Sequence, residues 1–252
     1  MGGHYAAPLS SPTSPRAQMP FVDAETNGVW ASPKPITGNL HALSGRVTAI
    51  SCTSSGYCGI AGYAKVSNGK TKQAFVSTWY RGILSPARVV AGNLNVVGNA
   101  SATDISCVGV GTCVVGGTFE HLINHPRAFV ADEVGGVWQL AQEVAGALNL
   151  GTASDRGAQI TSVSCASTTS CSAGGSYLDA RQRAQAFVID EVNGKWLAAQ
   201  QVAGSLNVFG EAAVTSISCV VGGFCGAGGY YSNGSRKALV LNKVDGIWAA
   251  TP

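Results

Sequence analysis

The chain has 252 residues, of which 46% are apolar and only 12% are charged. This composition predicts a globular protein with a sizeable core. The formal net charge of +3 comes without a Lys or Arg run, which excludes the basic stripe that nucleic-acid binders use against phosphates. No apolar stretch approaches the ~20 residues of a membrane span, and the first residues lack the pattern of a signal peptide. We therefore expect no nucleic-acid partner and no membrane insertion.

The chain begins with a partial copy of a motif that recurs downstream. GGHY…RAQMPFVDAETNGVW at the N-terminus matches GGSY…RAQAFVIDEVNGKW later in the chain. The match places Phe21, Asn27-Gly28, Trp30 and Gly38 in register with the later copies. Because this first unit lacks the Ser-Cys segment of the others, we expect a piece of a longer protein or an unusual start.

Four complete copies follow, and each contains a Ser-Cys segment with a second cysteine six residues after the first. The pairs are Cys52/Cys58, Cys107/Cys113, Cys165/Cys171 and Cys219/Cys225. Each copy continues with an apolar segment around Phe75, Phe129, Phe187 or Leu239 and, nine residues later, has Leu84, Trp138, Trp196 or Trp248. The copies define one repeat domain over 1–252, with units at about 1–46, 47–101, 102–159, 160–213 and 214–252.

Each complete unit is interpreted as four strands, named A to D in chain order. Strand A is an alternating run that ends at the first cysteine, and strand B follows the second cysteine. Strand C is the segment written AFV in most copies, and strand D follows a dipeptide such as Asn193-Gly194, which is typical of a type I′ hairpin turn. No helical periodicity separates the strands, which excludes helical solenoids and parallel βαβ arrays. We predict an all-β protein, a β-propeller of about five four-stranded blades with the first incomplete. A β-solenoid, a trefoil or another all-β array remains an alternative, since periodicity does not fix ring closure.

The units resemble a group of secreted bacterial β-propeller-like tandem-repeat proteins with the pattern SxSC…C.AGGY…QAFV…NG.W. The resemblance covers nearly the whole chain and is specific for architecture. It implies export, so a secreted or cell-surface location is expected. It carries no catalytic signature and says little about ligands.

The eight cysteines are predicted to form one disulfide in each complete unit. Two cysteines at the end of strand A and the start of strand B face each other across a hairpin, which permits a disulfide without backbone movement. Full pairing of all eight favours an oxidising compartment. Reduced structural thiols and metal clips are the alternatives, but zinc sites usually have shorter spacings, and no His recurs beside the pairs. We expect no metal and no cofactor.

Three groups of residues could carry catalysis, and each has a structural interpretation that we favour. The recurring serines, Ser51, Ser106, Ser164 and Ser218, have no matched base, and repetition is typical of packing. Adjacent acids in the pairs Asp132/Glu133 and Asp190/Glu191 point to opposite faces of an extended segment, so neither pair can converge on one bond, and we expect a solvated turn. His121 and His125 are interpreted as a loop tip and not as a metal site, because Pro126 disfavours a helix.

Most candidate binding residues occupy recurring positions of the repeat. The recurring tryptophans, Trp30, Trp138, Trp196 and Trp248, are expected to pack between sheets, with sugar stacking as the alternative. The rim formed by the B–C loops and the D–A crossovers is the expected recognition face. The candidate ligand-binding residues are His41, Asn95, Asn149, Asn207, Tyr63, Tyr177 and Tyr230. For the asparagines the favoured role is to fix their own crossover turns, and a repeated polar binding site is the alternative.

The sequence therefore predicts a non-catalytic module that binds a glycan or a protein, with weak sites multiplied by valency. Further repeats of the same parent protein are conceivable partners. The alternatives are a hydrolase or lyase with a single asymmetric site in the central channel, and a purely structural spacer of a larger surface protein.

Overall fold

The computed structural model describes residues 1–6, 18–38, 42–66, 71–146, 148 and 157–250. Over these ranges the chain forms β-strands and turns, without a helix. The all-β prediction is confirmed. The same ranges contain no helix that could cross a membrane.

The strands form five successive sheets, numbered here in chain order. Sheet 1 contains β1 (Gly2–Ala6), β2 (Gln18–Val22) and β5 (Lys34–Pro35), with a short hairpin of β3 (Glu25–Thr26) and β4 (Val29–Trp30) between them. Sheet 2 contains β6 (Ala42–Cys52), β7 (Cys58–Val66), β8 (Thr71–Tyr80), β9 (Ile83–Leu84) and β10 (Arg88–Val89). Sheet 3 contains β11 (Ser101–Gly109), β12 (Thr112–Leu122), β13 (His125–Val134), β14 (Val137–Trp138) and β15 (Gln142–Val144). Sheet 4 contains β16 (Ala158–Ser167), β17 (Ser170–Leu178), β18 (Ala184–Val192), β19 (Lys195–Trp196) and β20 (Gln200–Val202). Sheet 5 contains β21 (Ala213–Cys219), β22 (Cys225–Ser232), β23 (Arg236–Val244) and β24 (Ile247–Ala250).

Sheets 2 to 5 share the predicted antiparallel order A-B-C-D. In sheets 2 to 4 strand D is broken into two short strands, and both pair with strand C. The described part of sheet 1 begins at the equivalent of strand B, in agreement with its missing Ser-Cys segment.

The C–D turns have the backbone geometry that their sequences predict. Asn193 and Gly194 both have positive φ, at 52° and 73°. The equivalent dipeptides Asn27-Gly28, Arg81-Gly82, Gly135-Gly136 and Asp245-Gly246 share this pattern. A type I′ turn requires it, and its twist matches that of the flanking strands. The turn therefore fixes the register of strands C and D in every sheet.

Strand A joins each sheet to the next through two recurring hydroxyl groups. The register of strand A shifts around Thr48, Thr103 and Thr161, where one extra residue forms a bulge. Each of these hydroxyls donates to a carbonyl of the following sheet: Thr48 to Ala102, Thr103 to Ile160, and Thr161 to Val214. In the same way Ser51, Ser106 and Ser164 accept the amides of Cys107, Cys165 and Cys219. The repeated serines are therefore structural, as their repetition indicates.

A glycine in strand B allows strand A to approach closely beside each bulge. A Cβ at Gly175 would overlap the carbonyl oxygen of Gln159. Gly62, Gly117 and Gly229 are in the same position against strand A of their own sheets. The second glycine of the AGGY motif is thus required by backbone proximity.

The apolar core is divided among the spaces between consecutive sheets. One cluster packs Phe75 of sheet 2 against Val22 of sheet 1, and the next contains Val76 of sheet 2 and Phe129 of sheet 3. Two more clusters fill the spaces between sheets 3 and 4 and between sheets 4 and 5. Polar residues that lie between two sheets are consequently held in apolar surroundings.

Candidate functional site

The end of each sheet that carries the A–B disulfide and the C–D turn is called the hairpin end. Here the strand register aligns four residues across each complete sheet: two cysteines, a third residue that differs between sheets, and the Trp or Leu of strand D. The third residue, called the variable residue, is Trp79, Glu133, Glu191 or Lys243. The repeats therefore diverge in charge at one fixed place beside a rigid disulfide.

All four predicted disulfides are formed. They join Cys52 to Cys58, Cys107 to Cys113, Cys165 to Cys171 and Cys219 to Cys225, and no cysteine is left free. Disulfides of this kind are typical of proteins from an oxidising compartment.

The acid pairs are not solvated, so that prediction is wrong. Glu133, Asp190 and Glu191 are buried, and Asp132 is half-buried, because strand C carries them between adjacent sheets. The expectation that neighbouring acids face opposite ways is confirmed in sheet 3: Asp132 contacts Trp196 of sheet 4, while Glu133 contacts Tyr57 of sheet 2. An acid of one sheet can consequently meet an acid of the next.

Between sheets 2 and 3, Glu133 has a neutral partner. The hydroxyl of Tyr57 donates to its carboxylate and lies 2.8 Å from both oxygens. Burial raises the pKa of Tyr57 well above its usual value, and Glu133 adds to this shift. The phenol therefore stays protonated near neutral pH, which is the wrong state for a nucleophile.

A cavity of about 430 Å³ opens beside this pair. Its polar lining includes Ser77, Thr78, Ser85 and Arg88 of sheet 2, with Glu133 and Trp138 of sheet 3. Thr78 donates to Ser85 at 3.0 Å. Within the described ranges, the structure gives the indole N–H of Trp138 no hydrogen-bond partner. The cavity thus offers an aromatic ring, a free donor, hydroxyl groups and one group of each charge.

A second cavity of about 430 Å³ lies between sheets 1 and 2. It is lined by Trp30 and Trp79 together with Asp23 and Glu25. Trp30 is 51% exposed, and Lys34 lies 4.5 Å from the ring centre of Trp79. Both of these cavities therefore combine tryptophan with charged side chains.

The interface between sheets 3 and 4 joins two acids. Asp132 accepts a hydrogen bond from the indole of Trp196, at 3.1 Å. Glu191 is only 4% exposed, and its Oε2 atom has no hydrogen-bond partner among the described residues. Burial raises the pKa of Glu191 to about 7, and the nearby charge of Asp132 contributes to the shift. Burial also raises the pKa of Asp132.

The interface between sheets 4 and 5 joins an acid to a base. The ammonium of Lys243 lies 2.9 Å from Asp190, and both side chains are almost fully buried. Asp190 also accepts hydrogen bonds from Ser172 at 2.5 Å and from the indole of Trp248 at 3.1 Å. The buried carboxylate is fully satisfied, as a buried charge requires.

The described crossover asparagines are occupied by internal hydrogen bonds. Asn95 donates to the Lys72 carbonyl and to Gln73, and its oxygen accepts the amide of Asn99. Asn207 donates to the Ala184 carbonyl and to Gln185, and its oxygen accepts the amide of Glu211. These contacts are those of side chains that fix their own turns. His41 and Asn149 lie outside the described residues, and ligand binding by all four residues stays a prediction.

The three candidate tyrosines have different surroundings. Tyr63 and Tyr230 stack under Lys72 and Arg236, at 4.5 Å and 4.3 Å from the ring centres. Tyr177 is buried with its edge against Phe187. Their binding role also stays a prediction.

His121 and His125 flank the B–C hairpin of sheet 3, and His125 begins β13. Among the described residues, no group of three or more His, Cys, Asp or Glu side chains is arranged to hold a metal ion.

Sequence reasoning did not identify the hairpin-end cavities as candidate sites. The available signal was the variable residue: Trp79, Glu133, Glu191 and Lys243 occupy one position of the repeat, four residues after Phe75 and its equivalents. A change from aromatic to acidic to basic at a fixed position would have marked the place where the units differ in chemistry.

No protein-family model matches the sequence, and no curated protein matches it either. Among solved structures, the chain is similar to the Hadza microbial sialidase Hz136, with a TM-score of 0.56 and 13% identity over 84% of this chain and 47% of that one. A subtype N11 neuraminidase-like protein of A/flat-faced bat/Peru/033/2010 (H18N11) matches with a TM-score of 0.44, 11% identity, and 80% and 50% of the two chains. A glycosyl hydrolase from Bacteroides ovatus matches with a TM-score of 0.39, 10% identity, and 82% and 70% coverage.

The sialidase match shows a likeness of fold to a sialidase-type β-propeller and nothing about activity. The chain spans about half the length of that sialidase.

Proposed function

We propose that this chain is part of a secreted β-propeller in which the five sheets are blades, and that it binds glycans without catalysis. The binding sites are the tryptophan-lined cavities at the hairpin end, between sheets 1 and 2 and between sheets 2 and 3. The proposal moves the recognition surface from the crossover rim, which the sequence favoured, to the opposite end of the sheets.

The observation that carries the proposal is the free indole of Trp138 in a cavity of about 430 Å³. Trp196 and Trp248, at the equivalent position, donate to Asp132 and Asp190 of the preceding sheet. The residue of sheet 2 that corresponds to these acids is Thr78, which has no carboxylate to accept an indole N–H and donates its own hydroxyl to Ser85. Trp138 is therefore available to a ligand where its equivalents are not.

The lining of this cavity matches the chemistry of a sugar ring. An aromatic face packs against C–H groups, and nearby polar side chains select the positions of hydroxyl groups. A volume of about 430 Å³ is within the range of small-ligand sites, roughly 300–1,000 Å³. The similar volume between sheets 1 and 2 gives a second site, so a chain of sugars could gain affinity by occupying both.

The test is a glycan-array screen, followed by calorimetric titration of the selected oligosaccharide with wild-type protein and Trp138→Leu. Leucine is the matched replacement, since Leu84 occupies this position in sheet 2 and preserves burial without a stacking surface. We expect an affinity loss of about fivefold, because an aromatic contact is worth about 1 kcal/mol and a tenfold change in affinity corresponds to about 1.4 kcal/mol.

Val137→Ala is the control, because Val137 is exposed on the same hairpin next to Trp138. It should bind like the wild type. An array without any bound glycan, or unchanged affinity in Trp138→Leu, would contradict the proposal. Cleavage of the bound oligosaccharide during the titration would instead favour the hydrolase or lyase alternative.

A further inference from the structure

The cavity between sheets 3 and 4 is chemically different from the tryptophan-lined ones. It has a volume of about 200 Å³ and lies at the hairpin end. Three carboxylate residues line it, Asp132, Glu133 and Glu191, together with Thr112 and hydroxyl side chains of the A–B turn of sheet 4. Among the described residues that line it, none is basic, so the charged part of this lining is acidic.

The acidic lining alone would not define a site, but one carboxylate is incomplete. Glu191 is 4% exposed, and within the described residues its Oε2 atom has no hydrogen-bond partner. A buried carboxylate without a partner costs several kcal/mol once it is ionised, so above about pH 7, where Glu191 loses its proton, a cation in the cavity would be stabilising. Glu133 pairs with Tyr57, the residue immediately before the second cysteine of sheet 2. The equivalent residue of sheet 3, which faces Glu191, is Thr112, and its side chain is too short to fill the same space.

The next interface shows which group completes such an arrangement. There the variable residue is Lys243, and its ammonium lies 2.9 Å from Asp190, whose equivalent in sheet 3 is Asp132. Both aspartates accept the indole N–H of the following sheet's tryptophan. The two interfaces thus share an aspartate and a tryptophan, and only the one between sheets 4 and 5 contains its own cation.

We propose that the cavity between sheets 3 and 4 binds the primary ammonium group of a small ligand beside Asp132, the equivalent of the aspartate that pairs with Lys243 at the next interface. Asp132 and Glu191 accept its N–H donors, and Thr112 leaves the room that its carbon atoms need. The limited volume suits a group of the size of an amino-sugar unit or a lysine side chain. This site is distinct from the proposed glycan site because Trp138 does not line it, although Glu133 lines both cavities.

Binding of the ammonium should depend on pH. The charged groups that line the cavity are Asp132, Glu133 and Glu191, and Glu133 is already held by Tyr57. Because the pKa of Glu191 is raised to about 7, a proton competes with the ammonium below this pH. An alkylammonium remains charged throughout this range. We therefore expect its affinity to be about tenfold weaker at pH 6 than at pH 8.

The experiment is an NMR titration of the whole chain that follows the tryptophan indole N–H signals. The probes are n-butylamine with n-butanol as its neutral match, and glucosamine with N-acetylglucosamine as its neutral match. The signal of Trp196, which donates to Asp132, should shift saturably with an amine and not with its neutral match, while that of Trp248 stays fixed. Whichever amine binds with the higher affinity indicates whether the ammonium group of the ligand belongs to an aliphatic chain or to an amino sugar.

Three variants decide the assignment. Glu191→Gln should weaken binding at least tenfold and abolish its pH dependence. Thr112→Tyr should fill the cavity and eliminate binding. Glu211→Gln removes the same charge from an exposed residue of the sheet 4 to sheet 5 crossover and should bind like the wild type.

A Trp196 signal that responds equally to butanol, or an unchanged affinity in Glu191→Gln, overturns the proposal. Failure of the glycan proposal would appear separately, as loss of the Trp138 effect.

Discussion

The interfaces on the two sides of sheet 4 follow one plan and end in opposite chemistry. On both sides an aspartate of one sheet accepts an indole N–H from the next, Asp132 from Trp196 and Asp190 from Trp248. On one side the variable residue is Glu191, one oxygen of which has no hydrogen-bond partner in the described part of the chain, and on the other it is Lys243, in a buried ion pair. The shared residues hold the sheets together, and a single divergent position determines whether the interface is closed by the protein or left for a ligand.

Breaking the ion pair between sheets 4 and 5 should have the largest effect on the free energy of unfolding. Lys243→Met leaves Asp190 buried without its cation, and we expect a loss of about 3 to 5 kcal/mol in the free energy of unfolding, as for other buried pairs that lose one partner. Urea denaturation measures this loss. Lys237→Met, on an exposed residue of the same strand, should change the free energy by less than about 0.5 kcal/mol. Equal effects of the two variants would show that the ion pair contributes little to the free energy of unfolding.

At the interface between sheets 3 and 4, removal of the charged residue should raise the free energy of unfolding, by an amount that depends on pH. The folded state keeps a proton on Glu191 up to about pH 7, whereas the unfolded chain releases it near its ordinary pKa. Stability is therefore lost as pH rises from about 4.5 to 7, and Glu191→Gln removes this loss. The variant should match the wild type near pH 4 and exceed it by about 3 kcal/mol at pH 8.

Urea denaturation of Glu191→Gln and wild type at pH 4, 6 and 8 gives the comparison, and the difference between the two proteins reports the titration of Glu191 together with its coupling to Asp132. A difference that does not change with pH would mean that Glu191 has an ordinary pKa.

The smallest expected effect concerns a bond that both interfaces share. Ser164 accepts the amide of Cys219 in the next sheet, at 2.9 Å, and Ser164→Ala should cost about 1 kcal/mol. Ser218 is the equivalent residue of sheet 5, where the described chain provides no following sheet, and Ser218→Ala should cost close to nothing. Thermal unfolding of both variants tests this. A similar cost at both positions would assign the serine a role within its own sheet.

Much of the fold could be predicted because the repeat encodes it locally. Positive φ at dipeptides such as Asn193-Gly194 follows from their identity, and the six-residue spacing of Cys165 and Cys171 sets a hairpin between them. These features need only neighbouring residues, which the sequence shows directly.

The candidate site could not be predicted in the same way, because its contacts join different repeats. Asp132 and Trp196 are 64 residues apart, and a pair of acids before a turn is normally solvated. Burial came from the packing of one sheet on another, which no local pattern contains. The chemistry of Glu191 depends on Thr112 in the preceding repeat, so its orphaned oxygen follows only from the assembled interface.

The position of the disulfides has a mechanical consequence. Each bond closes a loop between cysteines that are six residues apart within one hairpin, so no covalent link among them ties a sheet to its neighbour. Under tension applied to the chain ends, sheets should detach singly, and each of sheets 2 to 5 would carry a small closed ring that withholds about 16 Å of extended chain. A reductant would lengthen the steps of these four sheets in the extension trace by that amount, while the force needed to separate the sheets would stay the same.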